Sequence, residues 1–360
     1  LTREIIQNSM DAKDNNKEGP VRVVFKFHSI RQDELPKQDQ LMNKILPQAQ
    51  VFWQDSQDTL DYLERFKESL ELSEINVLTI RDYGTRGLEK GAFEALVSGE
   101  SYSCKHDDTA GGSKGIGKAA PFAASELRIV FYNSKSLDSQ KRAAGVINFV
   151  SFNEKEKDCG EIQYITQERG RYSPSDNEIN FMKPIREELG TDINIMGLTP
   201  LPKWEERIFL SVLANFLVSI YYNKLSVTIE GKTGNRIDIN HNTLSKHMNT
   251  LKLLCDKKTT SNEWKDVLKE YGTGYRNIII DTCNYYKILQ LSNTDETATF
   301  KFPKEFVEKY DFIDSEDDAH LHLMLVDNAN RKVLQARKTG MRIEERNRID
   351  GSIPFSGIFI

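Results

Sequence analysis

Four stretches of the 360-residue chain gather residue types that could do chemistry. Near the start, Glu4, Asn8 and Asp11 are spaced four and three apart, so a helix over the first residues sets three polar side chains on one face, with Ala12 just beyond. Ile5, Ile6, Ser9 and Met10 share a second stripe. Asp82 follows an apolar run, Ile75 to Ile80, and is itself followed by Gly84 and Gly87. An Asp at a strand end with two glycines three apart is a loop that lets backbone come close to something. Gly111-Gly112-Ser113-Lys114-Gly115-Ile116-Gly117-Lys118 opens a helix at Ala119, and Gly190-Thr191 leads into the alternating segment Asp192–Met196.

Glycine clusters beside a lysine suggest phosphate, because exposed backbone N–H groups and a helix N-terminus attract anions. The P-loop is the first pattern to test. Gly112, Gly117 and Lys118 meet its first seven positions, but Ala119 stands where the magnesium-binding hydroxyl belongs, and the preceding SYSCKHDDTAGG is no strand. Metal chemistry has less support: Cys104 and His106 form half a site with no second pair at ligand spacing, and the acidic segment around Asp311 lacks the Gly and closing Glu of a calcium loop. Four dispersed cysteines give neither a disulfide framework nor a zinc ribbon, so a reducing cytoplasm is the expectation.

A different pattern accommodates all four stretches. Glu4-x-x-x-Asn8-x-x-Asp11-Ala12, Asp82-x-Gly84-x-x-Gly87, Gly112-x-x-Gly115-x-Gly117 and Gly190-Thr191 stand in the order of the four ATP-binding motifs of the GHKL superfamily. Over roughly residues 1–232 the chain resembles a Bergerat-fold ATPase, the superfamily of DNA gyrase B, Hsp90, sensor histidine kinases and MutL. The resemblance implies an α+β fold, with ATP and Mg²⁺ as cofactors. It implies that Asn8 gives an oxygen to Mg²⁺, a hard cation that prefers such ligands, and that Glu4 activates the water attacking the γ-phosphate. It assigns Asp82 to the adenine amino group, which an acceptor-only carboxylate can select over a carbonyl, and Thr191 to the same network. Gly112, Ser113, Lys114, Gly115, Ile116, Gly117 and Lys118 would form a lid over the phosphates, with Lys114 or Lys118 adding charge. A solvated helix face is the plain alternative for Glu4 and Asn8, as a strand residue is for Thr191.

The elements that position these residues follow from periodicity. Strands are expected at Val21–Phe27, Ile75–Ile80, Leu127–Tyr132, Ala144–Phe152, Ile162–Ile165 and Asp192–Met196, with helices at Leu60–Leu72 and Glu205–Asn223 and a closing strand at Leu225–Glu230. Adjacent strands after two helices favour an α+β sandwich over a doubly wound sheet. Residues 31–59 read as a polar insertion or an exposed excursion. The turn Gly231–Gly234 marks a boundary, giving an ATP-binding domain over 1–232 and a smaller, transducer-like and truncated α/β domain over 236–360. There, Trp264–Tyr271 reads as a helix, and Asn277–Asp281 and His320–Asp327 as strands. Val333–Ile343 reads as a basic strand or turn, and FSGIFI as a core strand at the end. By the resemblance, Lys338, or Arg337 in its place, is the residue a second domain would send to the γ-phosphate; an ordinary surface turn is the alternative.

Forty-nine Lys and Arg against fifty-four Asp and Glu leave a charge of −5, with no basic stripe, which weakens direct nucleic-acid binding. The apolar stretch Phe209–Tyr222 is shorter than the roughly 20 residues a bilayer needs, so no membrane association is expected. No histidine lies in a phosphoacceptor pattern, which disfavours kinase activity. The absence of a starting Met, and only three residues before Glu4, point to further segments or a partner protein. The expected function is slow, Mg²⁺-dependent ATP hydrolysis driving lid closure and a conformational or dimerisation switch; the alternatives are a non-catalytic nucleotide-binding scaffold, an Hsp90-like chaperone or a MutL-like DNA-associated clamp.

Overall fold

The computed structural model describes residues 1–97, 116–154, 157–159, 162–164, 186–201, 203–255, 275–292, 294–309, 315, 319–327, 329–347 and 349–360; side chains are described for these except 116–118, 154, 157–159, 162–164, 254–255 and 275–277. The architecture is α+β, in two compact units. The first comprises Arg3–Pro200 and Thr228–Ile237, and the second Leu201–Val227 and Asp238–Ile360. Among the described residues, no helix is long and apolar enough to cross a membrane.

The first unit is built on an eight-stranded sheet of order β10-β9-β1-β2-β8-β3-β4-β7. Its strands are β1 (Val21–Arg31), β2 (Glu74–Tyr83), β3 (Ser125–Lys135), β4 (Lys141–Asn148), β7 (Ile162–Tyr164), β8 (Gly190–Leu198), β9 (Leu225–Glu230) and β10 (Arg236–Ile239). A separate ribbon pairs β5 (Phe152–Glu154) with β6 (Lys157–Cys159). The stretch expected as one strand over Ala144–Phe152 is therefore two, β4 ending at Asn148 and β5 beginning at Phe152.

Alternation along the strands divides the core. Val130 and Tyr132 of β3, with Ala144 and Val146 of β4, pack under Phe93 and Val97 of α5 (Lys90–Val97). Leu127, Ile129 and Phe131 point the other way, into a cluster with Tyr62, Leu63, Phe66 and Leu70 of α4 (Gln57–Glu71). That second cluster corrects the reading of residues 31–59 as an exposed excursion. The segment forms short helical stretches, α2 (Gln38–Gln40), a π-helical turn Leu41–Ile45 and α3 (Leu46–Phe52), and buries Leu35, Leu41, Leu46 and Ala49 in the core. Its polar residues masked a wide spacing of apolar anchors. At the front, α1 (Thr2–Asp11) buries Ile5, Ile6, Ser9 and Met10, the stripe its spacing predicts.

In the second unit a five-stranded sheet has the order β11-β12-β15-β13-β14. Its strands are β11 (Ala298–Lys301), β12 (His320–Leu325), β13 (Lys332–Ala336), β14 (Arg342–Arg346) and β15 (Phe355–Phe359). The last strand lies inside the sheet, antiparallel to β12 and parallel to β13. The stretch Val333–Ile343 resolves into the hairpin of β13 and β14. Asn277–Asp281 is helical, not a strand: it belongs to a helix over Tyr275–Leu291 that buries Ile279, Tyr285, Ile288 and Leu289. A run such as NIIID is too short for periodicity to separate strand from helix. Lys332 Nζ ties this helix to the sheet, 2.7 Å from Asp281 Oδ2 and 3.3 Å from Glu345 Oε2.

Candidate functional site

Three neighbouring strands change character at the same level. Ile80 of β2 stands opposite Ile193 of β8, and Ile193 opposite Tyr132 of β3. These apolar residues belong to the face covered by α5. Two residues further along each strand, on that same face, come Asp82, Thr191 and Ser134. An apolar row is thus followed by a polar one at the end of the sheet.

Asp82 is the hub of that row. Its Oδ1 accepts from the Thr85 hydroxyl at 2.7 Å and from the Thr191 backbone N–H at 2.8 Å, and its Oδ2 accepts from the Ser9 hydroxyl at 3.1 Å. A carboxylate has about four acceptor positions, so room for a further donor remains on Oδ2. The side chain is 13% exposed. Ser9 comes from α1, which buries it beside Ile5, Ile6 and Met10, and Thr85 from the glycine loop after β2. Backbone bonds hold that loop to the end of α1: Asp14 N donates to Gly84 O at 3.0 Å and Arg86 N to Ala12 O at 2.9 Å. Gly87 has φ +65, and a Cβ there would overlap the Lys135 carbonyl; Gly190, with φ +137, would drive one into Asp82. Gly87 thus serves a close approach of backbone to backbone, and Gly190 one to Asp82 and the Arg186 guanidinium.

Behind Asp82 lies a buried cation absent from the sequence reading. The Arg186 guanidinium, 4% exposed, donates to the Asp82 carbonyl, to the Leu189 carbonyl at 3.1 Å and to the Asp192 carboxylate. It also stacks on Tyr83, 4.8 Å from the ring centroid, as Arg22 does at 4.8 Å. Burial pushes the Asp192 carboxyl above its ordinary range, offset in part by Arg186 and Arg81. A carboxyl raised in the folded state supplies stability below its unfolded pKa, and that stability is lost as pH rises through the folded pKa. Arg186→Met removes the larger offset and raises Asp192 further. The variant is expected to lose about 3 kcal/mol near neutral pH, because the buried charge loses its partner, and less as the pH falls towards the carboxylate range. Urea unfolding at about pH 4.5 and about pH 7.5 checks this; an equal loss at both would exclude Asp192 as the group responsible.

The structure brings Asp82, Gly84, Gly87 and Thr191 together with α1. Glu4 is half-buried and Asn8 exposed, one turn apart on the side of α1 away from its buried stripe; Asp11 and Ala12 close the helix. Gly112, Ser113, Lys114 and Gly115 lie outside the described residues, as do Cys104, His106 and the expected helix Trp264–Tyr271. Ile116, Gly117 and Lys118 form the first turn of α6 (Ile116–Ala123), three residues ahead of the helix start expected at Ala119. Lys338 lies in the second unit, exposed on the turn between β13 and β14. Its carbonyl accepts from Lys224 Nζ at 2.6 Å, and Ser219 Oγ donates to the next carbonyl, of Thr339, at 2.9 Å. Ser9 was legible as a polar break in an apolar stripe; Ser134, Thr85 and Arg186 carried no spacing signal.

No protein-family model matches the chain, and no curated protein matches it. Among solved structures it is similar to one described as the N-terminal domain of a DNA repair protein, over 92% of this chain and 71% of that one, at 9% identity and a TM-score of 0.32. A likeness that distant carries no argument about fold or function.

Proposed function

We propose that this chain is a Bergerat-type, Mg²⁺-dependent ATP-binding protein that hydrolyses ATP slowly and uses the cycle as a conformational switch. The observation that carries this reading is the convergence on Asp82. Three stretches far apart in sequence, α1 through Ser9, the glycine loop through Thr85 and the Gly190-Thr191 strand start, all donate to one partly exposed carboxylate. An acceptor with one position open suits an exocyclic amino group. The side of α1 away from its buried stripe then offers the exposed Asn8 and the half-buried Glu4, one turn apart, for the phosphate end. Asn8 fits Mg²⁺ as a single oxygen donor, since that ion keeps waters and phosphate oxygens in its other positions. When bound, the ion would neutralise charge developing on the phosphates. Glu4 would hold and deprotonate the attacking water, and Lys338 would belong to the switch.

A thermal-shift titration with ATP, GTP and a non-hydrolysable ATP analogue, with and without Mg²⁺, followed by phosphate release, tests the reading. At a concentration of 100 dissociation constants, binding adds about 2.7 kcal/mol to stability. An adenine-selective, Mg²⁺-dependent rise with slow release is expected, and the same titration on Lys338→Ala should keep the rise while slowing release. A rise without release would favour the non-catalytic scaffold, and no rise with any nucleotide would sink the proposal.

A further inference from the structure

Ser134 is fully buried, and its hydroxyl touches three polar groups: Leu88 N at 2.8 Å, Gly190 O at 3.0 Å and Thr191 Oγ1 at 3.1 Å. Only one placement of protons satisfies all three. The Leu88 N–H can only donate and the Gly190 carbonyl can only accept. The single Ser134 proton therefore goes to Gly190 O, and the Ser134 oxygen receives both the Leu88 N–H and the Thr191 hydroxyl proton. Were Ser134 to donate to Thr191 instead, its oxygen and the Gly190 oxygen would face each other at 3.0 Å with no proton between them.

This placement fixes what Thr191 can offer. Its backbone N–H is spent on Asp82 Oδ1 and its hydroxyl proton on Ser134, so its oxygen presents lone pairs only. Beside it, Asp82 is acceptor-only as well. We infer that Ser134 is a specificity-determining positioning residue: by taking the Thr191 proton it makes this end of the site a pair of acceptors, which admits an exocyclic amino group with its two N–H donors and rejects a carbonyl in that place. The inference rests on the nucleotide reading proposed above and deepens it to the choice of base edge.

ATP and ITP differ at this point, an amino group in one and a carbonyl in the other, so the ratio of their affinities is the readout. Binding of each with Mg²⁺ is measured on the whole chain, on Ser134→Ala and on Thr191→Val. The unaltered protein is expected to prefer ATP by on the order of tenfold or more, as sites built to pair a polar group reject analogues lacking it. In Ser134→Ala the Thr191 proton is released to meet the carbonyl, and the preference should fall to within about threefold through a gain in ITP affinity. Thr191→Val reports the proton's direction without altering Ser134. Loss of an acceptor weakens ATP and lowers the preference, whereas loss of a donor would weaken ITP and raise it.

An unchanged preference in Ser134→Ala that still binds ATP, or a preference in Thr191→Val that rises or stays fixed, overturns the assignment, as does equal binding of ATP and ITP by the unaltered protein. If Ser134→Ala does not fold, Thr191→Val decides alone. Binding of neither nucleotide by the unaltered protein overturns the underlying reading and this assignment with it.

Discussion

Asp82→Asn is expected to abolish ATP binding while leaving a cooperatively folding protein. The change keeps the shape of the side chain and replaces one acceptor oxygen by an N–H donor. Oδ1 of Asp82 receives the Thr85 hydroxyl and the Thr191 N–H, so the new amide keeps its oxygen there and puts its nitrogen at the Oδ2 place. There the Ser9 hydroxyl can turn its proton to the Ile5 carbonyl and accept, and the position open to the exocyclic amino group is then a donor facing a donor. A hydrogen bond to a charged group contributes about 1.5–3 kcal/mol, and a buried donor left unpaired costs about 1–3 kcal/mol. Affinity should therefore fall on the order of 100- to 1,000-fold. In the free protein the two bonds on Oδ1 lose their charged acceptor, so a melting point lower by several degrees is expected alongside. Isothermal titration with ATP beside a melting curve separates the two effects. Retained affinity in the variant would remove Asp82 from the base site and leave the convergence of three stretches on it as a structural clasp.

The consequences of that carboxylate explain which parts of the site were legible. Asp82, Gly84, Gly87, Gly190 and Thr191 stand at strand ends and turns, where residue type is dictated by backbone geometry, and such positions leave a local signature. Arg186 leaves none. It reaches Asp82 and Asp192 from a segment where no periodicity constrains it, and a buried arginine looks in sequence like a surface one. Ser134 is hidden differently: it lies in the continuously buried stretch Ile129–Ser134 of β3, and a small polar residue there fits a strand as well as a site. The fold divides along the same line. Long periodic elements such as α1 and β1 emerge directly, while the π-helical turn at Leu41–Ile45 and the helix containing Asn277–Asp281 depend on packing partners distant in the chain.

At the phosphate end the decisive change is Glu4→Ala. Glu4 and Asn8 share the face of α1 that turns away from Ile5, Ile6 and Met10, so truncating Glu4 leaves the buried stripe of the helix intact. The fold and the ATP-dependent rise in melting temperature should survive. A positioned general base contributes on the order of 10²–10⁴-fold to a rate, so phosphate release should drop by that factor. The distinction lies between binding and chemistry. A residue used equally in the ground state and the transition state would raise KM with kcat unchanged, whereas a base acting only as the water attacks lowers kcat and kcat/KM together. Steady-state kinetics on the variant, with the ATP shift measured on the same sample, therefore assigns the role. Unchanged turnover would return Glu4 to the solvated face of an ordinary helix, and a loss of ATP binding would make it part of the nucleotide's support and not of the reaction.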